Sequence, residues 1–279
     1  MKDWPFRVAT GVGVFLAAWV LWGQFGEQFG MPRIWFGSAH TEVAQRSEFR
    51  WDKALRVGQT IEIKGINGSI EATRSDGRRV EVLAVKTSER GDVSSVKIEA
   101  VEHSGGVTIC SVYPSSGSRQ NACEPGEGGR MNVRNSDVKV KFIVRVPKGV
   151  RLVARTINGS VKAVDLESDL WAVTVNGSID ITTTGRARAT TVNGSISARI
   201  GATELADDLA FETVNGSITV HVPSGLNADI EASTVGGRLT TDFPLQLMRR
   251  RMHGALGNGG PKLSLATVNG SIQLKRVRP

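Results

Sequence analysis

Asn-Gly-Ser occurs six times, beginning at Asn67, Asn158, Asn176, Asn193, Asn215 and Asn269, and a degenerate seventh copy puts Gly236 in the asparagine place. Three kinds of chemistry are open to such a chain. The tripeptide satisfies the acceptor pattern for N-glycosylation. Carboxylates on successive repeats could supply the acid and base of a glycan-cleaving β-helix. Two basic clusters, Arg249, Arg250 and Arg251, then Lys275, Arg276 and Arg278, could form one patch for an anionic polymer if both lie toward the C-terminal end.

Each reading has a plainer competitor. Six acceptors at one place in successive repeats are better explained by the geometry of a corner. The position after each repeat's aliphatic residue holds Glu71 and Asp180 but otherwise Lys162, Ser197, Thr219, Thr240 and Gln273, so stacking brings no acidic cluster together. Asp207 and Asp208 fall in the Leu205–Leu209 loop, where a solvated turn accounts for them. The glycine-rich phosphate loop, HExxH and GxSxG signatures do not occur. The basic clusters could equally serve to keep the end of a stack soluble. A non-catalytic chain without a cofactor is therefore expected.

Cys110 and Cys123 bracket the turn-rich stretch SVYPSSGSRQNA. In an oxidising compartment a lone pair of this kind reads as a structural disulfide. Free thiols or half of a metal site are the alternatives. The four histidines, His40, His103, His221 and His253, make no ligand spacing with these cysteines, and no metal is expected.

The elements that carry these residues follow from counting outward from each asparagine. In every copy after the first, threonine stands two residues before it, at Thr156, Thr174, Thr191, Thr213, Thr234 and Thr267. Four before it stands an apolar residue: Ala154, Ala172, Ala189, Phe211, Ala232 or Leu265. Three after it stands an aliphatic one: Ile70, Val161, Ile179, Ile196, Ile218, Leu239 or Ile272. This is period two on both sides of a corner, the pattern of strand, corner, strand with one face inward. Val175, Val192 and Val214 interrupt the alternation, which predicts a bulge or bend. The glycine is expected to supply a positive φ, and the asparagine to tolerate left-handed geometry.

An antiparallel meander and a parallel solenoid both fit that pattern. The solenoid explains why like-facing positions keep the same residue, because threonine over threonine forms a ladder only when coils stack in register. The expected fold is all-β, a single-stranded β-helix-like solenoid with coils of roughly 17–22 residues, preceded by an N-terminal hydrophobic helix.

The chain divides accordingly. Residues 1–26 hold 19 uncharged positions from Val8 to Gly26, a helix of roughly 28 Å, close to the hydrocarbon thickness of a bilayer. Lys2 and Arg7 precede it, so a membrane anchor with a cytoplasmic N-terminus, or a cleaved signal, is expected. Residues 27–52 read as a tether, 53–153 as an irregular leading β lobe with the disulfide loop, and 154–279 as the regular repeats. The bulk of the chain is thus exported, to the periplasm or cell surface, or secreted if the segment is cleaved. The net charge of +8 favours anionic partners, but no aromatic residues accompany the arginines as a nucleic-acid platform would need.

EIKGINGSIEA near the start, FIVRVPKGVRLVARTINGSV in the middle and GALGNGGPKLSLATVNGSIQLKR at the end resemble the bacterial putative-adhesin family of unknown function. That family is related to the β-helical adhesin heads named for Gly-Ile-Asn. The resemblance covers about residues 50–279 and implies an exported, β-helical, non-catalytic domain, often behind a membrane segment. It supplies no ligand and no catalytic residue. Gly236 departs from the pattern, which predicts a break in any asparagine ladder at that coil. The expected role is an adhesin-like structural or interaction module of the cell envelope, meeting anionic envelope polymers or envelope proteins. An envelope-stress sensor acting through a membrane partner, or a glycan-active β-helical enzyme, are the alternatives.

Overall fold

The computed structural model describes residues 45–115, 120–129, 131–133 and 135–277. The hydrophobic helix expected over 1–26, most of the expected tether and Arg278 lie outside these residues. Among the described residues no helix is long and apolar enough to cross a membrane.

Apart from a single 3₁₀ turn at Val93–Ser95, the regular structure is strand. The leading part contains β1 (Gln45–Ala54), β2 (Thr60–Lys64), β3 (Ile70–Ser75), β4 (Arg79–Ser88), β5 (Lys97–His103), β6 (Gly106–Val112) and β7 (Lys139–Pro147). The middle contains β8 (Arg151–Arg155), β9 (Val161–Leu166), β10 (Leu170–Val173), β11 (Ile179–Thr183), β12 (Ala187–Asn193), β13 (Ile196–Ile200), β14 (Leu209–Asn215) and β15 (Ile218–Val222). The last part contains β16 (Ala228–Gly236), β17 (Leu239–Thr241), β18 (Gln246–Met248), β19 (Arg251–Leu256), β20 (Lys262–Asn269) and β21 (Ile272–Arg276).

Each corner passes the chain from one sheet to another, so a turn of the solenoid is two strands rather than one. Sheet I runs β1-β4-β7-β3-β9-β11-β13-β15-β21-β17, and sheet II runs β18-β19-β16-β20-β14-β12-β10-β8-β2-β6-β5. The pairing is parallel and in register through the repeats: Ala172 lies between Ala154 and Ala189, and Ile179 between Val161 and Ile196. The inward positions found by counting, from Ala154 to Ile272, are all buried between the sheets. Fully burying each valine, leucine, isoleucine or phenylalanine among them contributes about 1.5–3 kcal/mol.

The turns do not follow sequence order. The turn formed last, β20 and β21, sits between β14/β15 and β16/β17. At the other end β6 and β7 form a turn outside β2 and β3, with a disulfide-bearing loop in place of the corner. Local pattern did not reveal this order, because equivalent turns present equivalent edges to one another.

Three of the four sheet ends are antiparallel, the exception being β17, which pairs parallel with β21. β1 pairs with β4, β4 with β7, β5 with β6, β19 with β16, and β18 with β19. Residues 45–52, expected as the end of a tether, therefore belong to a ten-residue strand. Phe49 and Trp51 alternate along it and pack against the core. Residues 246–256 form the β18–β19 hairpin that covers the far end of sheet II.

Candidate functional site

The asparagine side chain of each Asn-Gly-Ser copy bonds its counterpart in a neighbouring turn. Asn158 donates from its Nδ2 to Oδ1 of Asn67 at 2.9 Å, and Asn176 to Asn158 at 2.8 Å. Asn193 donates to Asn176, Asn215 to Asn193 and Asn269 to Asn215, each at 2.9 Å. All six asparagines thus form one unbroken ladder. The break expected at Gly236 does not occur, because the Asn269 turn slides inward and leaves Gly236 outermost, bridged to Asn269 by backbone pairing alone.

The threonines make a second, buried ladder. The hydroxyls of Thr156, Thr174, Thr191, Thr213, Thr267 and Thr234 donate to the carbonyls of Gly68, Gly159, Gly177, Gly194, Gly216 and Gly270, at 2.8–3.0 Å. These polar groups are satisfied where burial would otherwise be unfavourable.

The corner glycines serve closeness rather than handedness. Gly68 alone among those of the Asn-Gly-Ser copies has a positive φ, and no corner asparagine is left-handed. A Cβ at Gly177, Gly194, Gly216 or Gly270 would instead lie 1.9–2.1 Å from the glycine carbonyl oxygen of the neighbouring turn. At the interrupted alternation, Val175, Val192 and Val214 point outward beside the asparagines.

On the outer face of sheet II, Trp171 lies beside Arg188 in register, and the Arg155 guanidinium stacks 4.4 Å above its ring. Trp171 and the ion-paired Arg186, Asp169 and Asp207 line a cavity of about 350 Å³. Arg186 donates to Asp169 at 2.9 Å and to Asp207 at 2.7 Å. Burial raises the Asp169 carboxyl, but the bonds from Arg186 outweigh it and the net direction is down. The backbone N–H of Asp208, followed by Arg186, lowers Asp207 as well. Both stay ionised at neutral pH, so neither is held protonated as a glycosidic general acid must be.

Cys110 and Cys123 are joined. The segment that follows Cys123 covers the outer face of sheet II at β2, where two charged side chains are buried. Lys64 Nζ donates to the carbonyls of Glu124 and Gly128 at 2.6 and 2.9 Å. Glu62 accepts from the Thr108 hydroxyl, the Gly126 N–H and Arg155. Replacing Cys123 by serine is expected to destabilise the chain by about 3 kcal/mol on loop-entropy arithmetic. Denaturant unfolding of the oxidised wild type against Cys123→Ser checks it, and coincident midpoints would show that Glu62 and Lys64 hold the loop unaided.

The two basic clusters are not one patch. Arg249 and Arg250 form the β18–β19 turn and Arg251 opens β19, all on sheet II. Lys275 and Arg276 lie on β21 of sheet I, where they meet Arg199, His221 and Asp242 around a cavity of about 320 Å³.

The family model described as Toastrack DUF4097 matches residues 56–275. The chain belongs to the Toastrack family. No curated protein matches it. A structure described as a putative cell adhesion protein from Clostridium sporogenes is 9% identical with a TM-score of 0.49, covering 83% of this chain and 100% of its own. One described as a putative adhesin from Bacteroides fragilis is 11% identical with a TM-score of 0.37, covering 83% and 97%.

Arg199 and His221 were missed by reading the sequence of this Toastrack domain, yet a signal existed. Arg199, His221 and Lys275 each stand six residues after their asparagine, and Asp242 six after Gly236. Counting three columns past the aliphatic position brings them into one row. Glu62 and Lys64 carried no such signal, since IEIK reads as ordinary alternation.

Proposed function

We propose that this Toastrack chain is a non-catalytic, extracytoplasmic scaffold of a bacterial envelope, held at the membrane by its N-terminal segment. It offers its outer sheet faces for adhesin-like contacts with anionic envelope polymers or envelope proteins. The observation that carries the reading is the consumption of the repeated motif: its asparagine, glycine and the threonine before it all bond the next turn. The repeat is therefore shape rather than chemistry. The Cys110–Cys123 bond supports an oxidising compartment.

The test incubates the full chain with a panel of envelope polysaccharides. Retention that weakens with salt, without shortened products, is the expected result. Release of shortened chains that disappears in Asp169→Asn or Asp207→Asn would replace the scaffold with an enzyme.

A further inference from the structure

The row on the outer face of sheet I has an unusual charge order. Thr182 lies beside Arg199, Arg199 beside His221 and His221 beside Lys275, all in parallel register. Asp242 follows Lys275, its backbone N–H donating to the Leu274 carbonyl. Neighbouring strands lie ~4.8 Å apart, so Arg199 and Lys275 flank His221 across roughly 10 Å. Like charges side by side on a sheet are unfavourable. Among the described residues neither Arg199 nor Lys275 has an ion-pair partner, although Arg74, Arg79, Arg155 and Arg186 each do.

Arg276 closes one side of this cleft. Its backbone N–H donates to Asp242 Oδ2 at 3.0 Å, its guanidinium to the Asp242 carbonyl at 3.4 Å, and its head lies 5.1 Å above the Phe243 ring. One Asp242 carboxylate oxygen is thereby engaged, and Arg199, His221 and Lys275 share with Asp242 a concavity of about 320 Å³. Partial burial depresses His221 below its ordinary value, the charges of Arg199 and Lys275 add to this, and Asp242 offsets part of it. At neutral pH the imidazole is largely uncharged, so the repulsion in the row is held down until an anion arrives.

We propose that this cleft binds an oxyanion group, a phosphate or sulfate, between Arg199, His221 and Lys275. Its source is either the free ion or an ester on an anionic polymer. The inference deepens the scaffold reading, and rests on it only for the polymer source. A doubly charged anion stabilises the imidazolium, so binding takes up a proton. Affinity for sulfate, whose own charge is constant from pH 8 to pH 6, therefore rises as the pH falls.

The experiment titrates inorganic sulfate into the full chain in non-ionic detergent and follows the His221 ring proton by NMR, assigned with His221→Gln. The expected result is a saturating shift with a raised His221 pKa, and tighter binding at pH 6 than at pH 8. Arg199→Gln and Lys275→Gln, made separately, should each weaken binding roughly tenfold, the loss of one charge-assisted contact. Arg78→Gln/Arg90→Gln removes charge elsewhere and should leave the titration unchanged. A linear, unsaturating drift, or equal weakening in the Arg78/Arg90 variant, would reduce the effect to general screening and overturn the site. Dextran sulfate binding more than tenfold tighter than inorganic sulfate assigns the polymer as source; equal affinity per sulfate assigns the free ion. Sulfate binding without retention by any envelope polysaccharide would leave the cleft standing and remove the scaffold's polymer partner. Retention without a sulfate response would do the reverse.

Discussion

Gly194→Ala is expected to destabilise the chain by about 3 kcal/mol, at the upper end of what overpacking usually does. The new methyl would sit 2.0 Å from the Gly177 carbonyl oxygen, 2.5 Å from its carbon and 3.0 Å from the Ser178 nitrogen. These are backbone atoms of the adjacent turn, and they cannot swing aside as a side chain would. Relief requires parting the turns, which stretches the Asn193–Asn176 bond and the bond from the Gly177 N–H to the Asn193 carbonyl. Gly225→Ala makes the control. Nothing lies within 4 Å of its Cβ position, so the change should be neutral or stabilising by up to about 1 kcal/mol. Denaturant unfolding of the two variants separates them, and equal midpoints would mean that the corner has slack.

Phe211→Ala should remove about 3–5 kcal/mol. The ring is fully buried and lies in register between Ala189 and Leu265. The site cannot collapse easily. Its strand is fixed on one side by the bond from Thr213 to Gly194 and on the other by that from Thr267 to Gly216. A loss under about 1 kcal/mol would show that the sheets close over the gap and that the ladders yield. Met252→Leu, an apolar swap of similar size at another buried site, should cost less than about 1.5 kcal/mol in the same measurement.

Reading by columns recovered whatever depends on one turn and its equivalent neighbour. The inward aliphatics, the buried threonines and the parallel register all follow from identity at fixed offsets, since only stacked copies make identity useful. The role of the glycines was misread because a positive φ and a close backbone approach both exclude a side chain, and sequence alone does not separate them. The order of the last two turns was beyond reach. Both carry the same edge chemistry, and their exchange involves residues far apart along the chain. The grouping of Arg249–Arg251 with Lys275 and Arg276 failed for a related reason: nearness along the chain was allowed to outrank the repeat frame, which assigns them to different sheets. The same frame, read three columns past the aliphatic position, contained the Arg199–His221–Lys275 row.

The displaced order of β20 and β21 bears on how the molecule is completed. As the polypeptide is made, the strands that end as its outer neighbours, β16 and β17, exist before the pair that must lie beneath them. Until that pair arrives, β14 and β15 keep bare main-chain margins, open to any passing strand. In the finished fold β20 and β21 are each paired on both sides, so both margins are covered. A product stopped short of residue 262 would stay adhesive in the unwanted sense, whereas the finished one cannot peel from its newest strands, because they are clasped on either side.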